Sequence, residues 1–202
     1  MPASFDFYYD LVSPYSYLAA TQIKGLCDRT GAHCRWRPFF LGGVMQATGN
    51  KPPLQVYIPP KQKWAIQDLA DWADYYGVPF RFPAGAFPFN TLTVQRMLTA
   101  VGEADETRVG PFSLALYRAL WAEGKTIESP EIFGEIAGSL GLDGAQLLAR
   151  ASDPVIKEKL KSVTDEAVRL GAFGAPTFVV GSRLYWGNDR LPIVEKALSK
   201  QG

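Results

Sequence analysis

The chain of 202 residues is short of the side chains on which much catalysis depends: it has two cysteines and a single histidine, His33. One histidine per chain argues on count against histidine-based triads and multi-histidine metal sites, apart from any assembled between chains, so no metal is expected. A basic start and an apolar signal core are lacking at Met1 to Asp6, and no apolar run approaches the roughly 20 residues of a membrane span. The cytoplasm is the expected compartment. Excess charge of either sign is also missing, since 21 Lys and Arg face 20 Asp and Glu and the signs are interspersed. That balance argues against a surface that tracks phosphates or is drawn to a membrane, so neither nucleic acid nor membrane is an expected partner. Cys27 and Cys34 occupy amphipathic positions and read as buried free thiols.

What remains, 47% hydrophobic and 20% charged residues with no internal repeat, is the composition of a compact protein. Phe5, Phe7 and Tyr9 alternate along a strand at residues 4 to 9. Pro14 opens a helix that runs to about Arg29 and stops at Thr30-Gly31. His33 to Arg37 alternates again and ends at Pro38, which gives a parallel second strand and a βαβ unit. Between about 44 and 170 the apolar period becomes helical. Ile66, Leu69, Ala73 and Tyr76 share a face, as do Val94, Met97, Leu98 and Val101, and as do Ile156, Leu160, Val163, Ala167 and Leu170. Ser129-Pro130 and Asp153-Pro154 read as cap pairs, and the segment as five to seven helices. Strand chemistry returns at Thr177 to Val180 and Arg183 to Trp186, a hairpin turning at Gly181-Ser182, before a last helix from Asp189 to Ser199. The expected fold is α/β: a thioredoxin-like domain, residues 1–43 and 171–202, interrupted by an inserted all-helical domain, residues 44–170.

Ser13-Pro14-Tyr15-Ser16 stands where the first strand hands over to the first helix. A dithiol enzyme would carry cysteines at both ends of that frame, and hydroxyls cannot cycle between thiol and disulfide. Ser13 with Pro14 is also an ordinary helix start, but a helix N-terminus in this position concentrates N–H groups and positive potential where an anion can sit. A guest thiolate is such an anion. A thiol with pKa ~8.5 is about 3% ionised at pH 7, and lowering its pKa by two units takes ~2.7 kcal/mol. A hydroxyl bonded to the charged sulfur gives roughly 1.5 to 3 kcal/mol and the helix end about 0.3 to 1. Ser13 is therefore a donor to another molecule's sulfur, with no base at hand to make it a nucleophile. Ala175-Pro176 heads the third strand, where a cis proline would present the Ala175 backbone to a peptide-like ligand. Asn188 or Asp189 caps the last helix and Asp189 offers a charge for an amine, while Asn50 and Lys61 flank proline-stiffened loops and suit a carboxylate. Trp72, Tyr117 and Trp121 read as core. Phe39, Phe40, Phe87, Phe89 and Trp186 are candidates for the wall of an aromatic-substrate site.

Asp10 to Tyr17, Gly49 to Pro53, Pro59 to Lys61, Gly171 to Phe178 and Trp186 to Leu191 together resemble the kappa-class glutathione transferases, and most of all their bacterial branch, the 2-hydroxychromene-2-carboxylate isomerases. The resemblance spans the chain in order. It implies glutathione as cofactor, with Ser13 bonded to its sulfur, Ala175 beside Pro176 paired with its cysteinyl backbone, Asn188 and Asp189 on its γ-glutamyl end, and Asn50 and Lys61 as further contacts. It also implies a homodimer and a glutathione-dependent isomerisation of an aromatic pyruvate. Kappa-type transfer or peroxide reduction is the alternative enzyme reading, and a thioredoxin-fold binding module the non-catalytic one.

Overall fold

The computed structural model describes residues 3–51, 58–85, 87–125 and 130–200, the last stretch without the side chains of residues 130 and 131. Pro52, Pro53 and Ser129 lie outside the described residues. Strands β1 (Ser4–Tyr9), β2 (His33–Pro38), β3 (Thr177–Val180) and β4 (Arg183–Trp186) form one sheet in the order β2-β1-β3-β4. β2 runs parallel to β1 across helix α1 (Pro14–Thr30), and β3 and β4 pair antiparallel. Between β2 and β3 stand, among the described residues, seven α-helices: α2 (Leu41–Thr48), α3 (Pro59–Tyr76), α4 (Leu92–Ala104), α5 (Val109–Tyr117), α6 (Pro130–Ser139), α7 (Gly144–Arg150) and α8 (Pro154–Arg169). The final helix, α9 (Leu191–Leu198), follows a 3-10 turn at Asn188–Arg190. This is the thioredoxin-like arrangement with a helical insertion that the element order implies.

Register aligns Trp36, Phe7, Phe178 and Tyr185 across the four strands. Phe7 stacks on Phe178 at 5.2 Å and meets Trp36 edge-on at 5.2 Å. α1 and α9 cover this face through Leu18, Ile23, Leu26, Val194 and Leu198, and the same core continues into α4 and α5. The opposite face is buried too, where alternation along β1 had implied a polar side. Tyr8 packs there with Phe39, Leu41, Val44 and Ala167, because α2 and α8 close over it. Asp6 survives burial by accepting from both arms of Arg35, at 2.8 and 2.6 Å.

Tyr117 and Trp121 are fully buried, whereas Trp72 is only half-buried. Two members of the expected helical stripes, Ile66 and Leu170, are exposed. Ile66 shares its helix with the buried Leu69 and Ala73, so α3 presents a narrower face to the core than its apolar residues mark out. Asp153 caps α8 by accepting from the Val155 N–H. No helix among the described residues is long and apolar enough to cross a membrane, and Cys27 and Cys34 are free thiols.

Phe178 is wholly buried at the centre of the aromatic row. Phe178→Ala should therefore cost about 3 to 5 kcal/mol in urea unfolding, with the denaturant slope unchanged. A loss below about 1 kcal/mol would show that the row is not a packing unit.

Candidate active site

Ser13 enters α1 in extended conformation as its N-cap, and its Oγ accepts from the Ser16 N–H at 3.2 Å. The same hydroxyl donates to the Ala175 carbonyl at 3.1 Å, across 162 residues of chain. Neither partner is a base, so nothing described here makes the hydroxyl a nucleophile. In the first turn Pro14 has no N–H, Ser16 N–H goes to Ser13 Oγ, and Tyr17 N–H goes to the Ser13 carbonyl at 3.1 Å. Tyr15 N–H is then left, among the described residues, as a backbone donor at the positive end of α1.

The Ala175-Pro176 peptide is cis. The Pro176 carbonyl accepts from Gly187 N–H at 3.0 Å, which brings the turn bearing Asn188 and Asp189 against this segment. Gly187 has φ of 107°, a conformation that glycine adopts at no steric cost. Asn188 is buried, and its side-chain nitrogen has no hydrogen-bond partner among the described residues. A buried donor left unmatched costs roughly 1 to 3 kcal/mol, which a ligand oxygen would recover. Asn188 and Asp189 do not cap the last helix as expected, because the 3-10 turn and α9 both start without a side-chain cap. Asp189 instead accepts from Arg190 at 2.6 Å. Exposed pairs of this kind contribute about 0 to 1 kcal/mol, so the carboxylate can exchange partners.

Asn50 reaches the same segment from the end of α2, donating to the Phe173 carbonyl at 2.8 Å. Lys61 is exposed in the first turn of α3. That helix flanks the site through two bonds, Tyr15 Oη to Asp68 at 2.8 Å and Tyr76 Oη to the Asn188 carbonyl at 3.2 Å. At 1.5 Å per residue Lys61 lies about 10 Å along the axis from Asp68 and about 22 Å from Tyr76. Ser13, Ala175, Pro176 and Asn188 thus form one cluster with Asn50 at its edge, and Lys61 stands at the outer end of the flank. Burial, and after it the Asp68 carboxylate, raise the Tyr15 pKa, so its phenol stays protonated.

Of the five candidate wall aromatics, Phe39 is fully buried, Phe40 is half-buried, and Phe87 and Phe89 pack on the core around Trp121. Only Trp186 among them is exposed. A cavity of 360 Å³ opens elsewhere, beside Trp36, Arg37, Lys159 and Glu166. Four of its charges are paired, Arg37 with Glu166 and Lys159 with Glu103, and none of the cluster residues lines it.

Asp10, the first residue of the Asp10 to Tyr17 motif, has a structural part that its place in the sequence does not show. Its carboxylate is completely buried and accepts from Val12 N–H at 3.1 Å and Leu41 N–H at 2.8 Å, fixing the turn that leads to Ser13. Burial pushes its pKa up to about 6, against the pull of these donors and the Thr91 hydroxyl.

The family described as DSBA-like thioredoxin domain matches residues 5–199. The chain is 31% identical over 198 residues to 2-hydroxychromene-2-carboxylate isomerase of Sphingobium xenophagum, covering 98% of this chain and 99% of that one. It is 32% identical over 205 residues to glutathione S-transferase kappa 2 of Caenorhabditis elegans, covering 96% and 91%. A solved 2-hydroxychromene-2-carboxylate isomerase superposes with a TM-score of 0.87 at 29% identity, covering 98% of this chain and 95% of that one.

A carboxyl whose folded pKa lies above its unfolded value favours folding below the unfolded value, near pH 4, and loses that contribution as pH rises through 6. Relative to Asp10→Asn, the wild type should lose on the order of 2 to 3 kcal/mol of unfolding free energy between pH 4 and pH 8. A difference that stays flat with pH would mean that Asp10 titrates as an ordinary exposed carboxyl.

Proposed function

We propose, for a chain that belongs to the DSBA-like thioredoxin domain family and to its branch of 2-hydroxychromene-2-carboxylate isomerases and kappa-class glutathione transferases, a glutathione-dependent isomerisation of 2-hydroxychromene-2-carboxylate or a related aromatic pyruvate. The observation that carries it is the Ser13 hydroxyl, 3.1 Å from the Ala175 carbonyl at the N-terminus of α1, with hydroxyls where a dithiol enzyme would hold both sulfurs.

The cluster fits glutathione: the unmatched Asn188 amide nitrogen suits an oxygen of the γ-glutamyl end, and Asp189 beside it suits the amine. Bound glutathione supplies a thiolate whose reversible addition to a conjugated double bond permits rotation and returns the thiol unchanged, with no net transfer of protons or electrons. Ser13 turns its hydroxyl from Ala175 to the sulfur, and Tyr15 N–H adds a second donor at the positive helix end. The freed Ala175 carbonyl then takes a peptide N–H of the guest. Asn50 and Lys61 provide an amide and a charge for the glycyl carboxylate. The reading carries with it a cytoplasmic homodimer working in aromatic-compound degradation.

A second reading, kappa-type conjugation or peroxide reduction, is favoured by the 32% identity to the worm transferase, as high as that to the isomerase. Stoichiometric consumption of glutathione separates the two, since isomerisation consumes none.

Ser13→Ala should lower glutathione-dependent turnover of 2-hydroxychromene-2-carboxylate about 10- to 100-fold, the equivalent of one hydrogen bond to a charged sulfur, and raise the pKa governing the rate. Glutathione affinity by calorimetry should change less than about threefold, because the peptide arms keep their contacts. Turnover unchanged at neutral pH would remove Ser13 from its role, and wild-type isomerisation equally fast without glutathione would overturn the reading itself.

A further inference from the structure

Register puts Arg37, Tyr8, Thr177 and Trp186 in one row across the sheet, on the face that α2 and α8 cover. On the edge strand β4 the cover reaches Leu184 only in part, and Trp186 remains 47% exposed. Phe173, in the loop after α8, is 39% exposed, and the two rings meet at 4.9 Å between centroids with 49° between planes. The indole lies against Gly174, where an added Cβ would stand 2.5 Å from Trp186 Nε1. Any other residue there would push the indole away.

The backbone beneath the pair has little slack. Asn50 donates to the Phe173 carbonyl at 2.8 Å, Thr177 Oγ1 to the Gly174 carbonyl at 2.8 Å, and Ser13 Oγ to the Ala175 carbonyl at 3.1 Å. Three successive carbonyls are thereby pinned, and the last is pinned by the hydroxyl assigned to the sulfur. Two residues of chain span at most about 7 Å, so Phe173 is held within one small-molecule length of Ala175. Tyr15, Asp68 and Tyr76 line the α3 flank with polar atoms already bonded to one another or to Asn188. α3 also carries the exposed rings of Trp64 and Tyr75, but Phe173 and Trp186 are the exposed ring pair fixed to the segment that holds Ala175.

We infer that Phe173 and Trp186 form the platform on which the conjugated ring of the acceptor stacks, so that they select aryl over alkyl substrates. The inference rests on the glutathione-dependent reading above and names the acceptor side of that site. Offset or tilted stacking favours planar aromatic groups over aliphatic ones of similar length.

Binding of two probes by ligand-observed NMR tests this without requiring turnover: benzylidenepyruvate, which carries the ring, and 2-oxopent-3-enoate, the same conjugated acid with a methyl in its place. The wild type should bind the aryl acid about tenfold or more tightly than the methyl acid. Trp186→Ala and Phe173→Ala should each lose most of that preference, and Trp186→Phe should keep it to within about threefold. Glutathione affinity by calorimetry should stay within about twofold in all three variants, since no glutathione contact is removed. A preference unchanged in both alanine variants overturns the platform, as does a wild type with no preference for the ring. A preference that survives while the alanine variants shift from dimer to monomer in sedimentation makes the pair a subunit contact and also overturns it. A wild type that prefers the ring but binds no glutathione removes the functional reading and leaves the platform standing.

Discussion

Three carbonyls at the end of β1 set the terms for the rest of the molecule. As the chain leaves the sheet and turns toward Ser13, the carbonyls of Tyr9, Asp10 and Leu11 must each find a donor inside the protein. Gln95 gives its amide to Tyr9 at 3.0 Å, Tyr117 its phenol to Asp10 at 3.0 Å, and Trp121 its indole N–H to Leu11 at 2.9 Å. All three donors come from the insertion. Tyr9 and Asp10 also accept from the Phe39 N–H at 3.1 Å and the Ser13 N–H at 3.0 Å, so Leu11 is the carbonyl that would lose its described partner without those helices, at roughly 1 to 3 kcal/mol. The insertion is thus the scaffold of the site, and Tyr9 closes the circle through a 2.5 Å bond to Ser113.

Fixing that turn fixes the direction in which α1 begins, and with it the chemistry available there. In a dithiol enzyme the chain's own thiolate occupies the positive potential at the helix N-terminus. Hydroxyls at Ser13 and Ser16 remain neutral, so the potential stays open to a guest anion. Asp10 is compatible with this because its carboxylate faces backbone donors of the turn and of α2. Its charge is spent on holding the turn, at a cost visible in its raised pKa.

The order of elements was legible because each signal was local: the alternation of Phe5, Phe7 and Tyr9, the Ser13-Pro14 start, and the two short strands around Gly181. The cluster of Ser13, Ala175 and Asn188 was legible only as three separate motifs, since the bond joining the first two spans 162 residues. The burial of Tyr8 and Asp10 was hidden for the same reason. Alternation marks one face of a strand and says nothing about whether later helices will bury the other. Phe173 was hidden by composition, one aromatic among twelve phenylalanines, until its exposure and its contact with Trp186 set it apart. Ile66 and Leu170 show the converse, apolar residues at helical spacing that tertiary packing leaves uncovered.

The two flanks of the site are built on different principles, and this bears on how such a protein can diversify. On the Ser13 side the groups are backbone atoms, a cap hydroxyl and the buried Asn188, all tied into the fold, so substitution there disturbs structure. On the other side the backbone from Phe173 to Ala175 is pinned by bonds to its carbonyls, while the side chains of Phe173 and Trp186 project toward solvent. Exposed side chains on a fixed backbone can be exchanged at small cost in stability. On the proposed reading, acceptor choice can therefore drift while the seat for the thiolate stays constant.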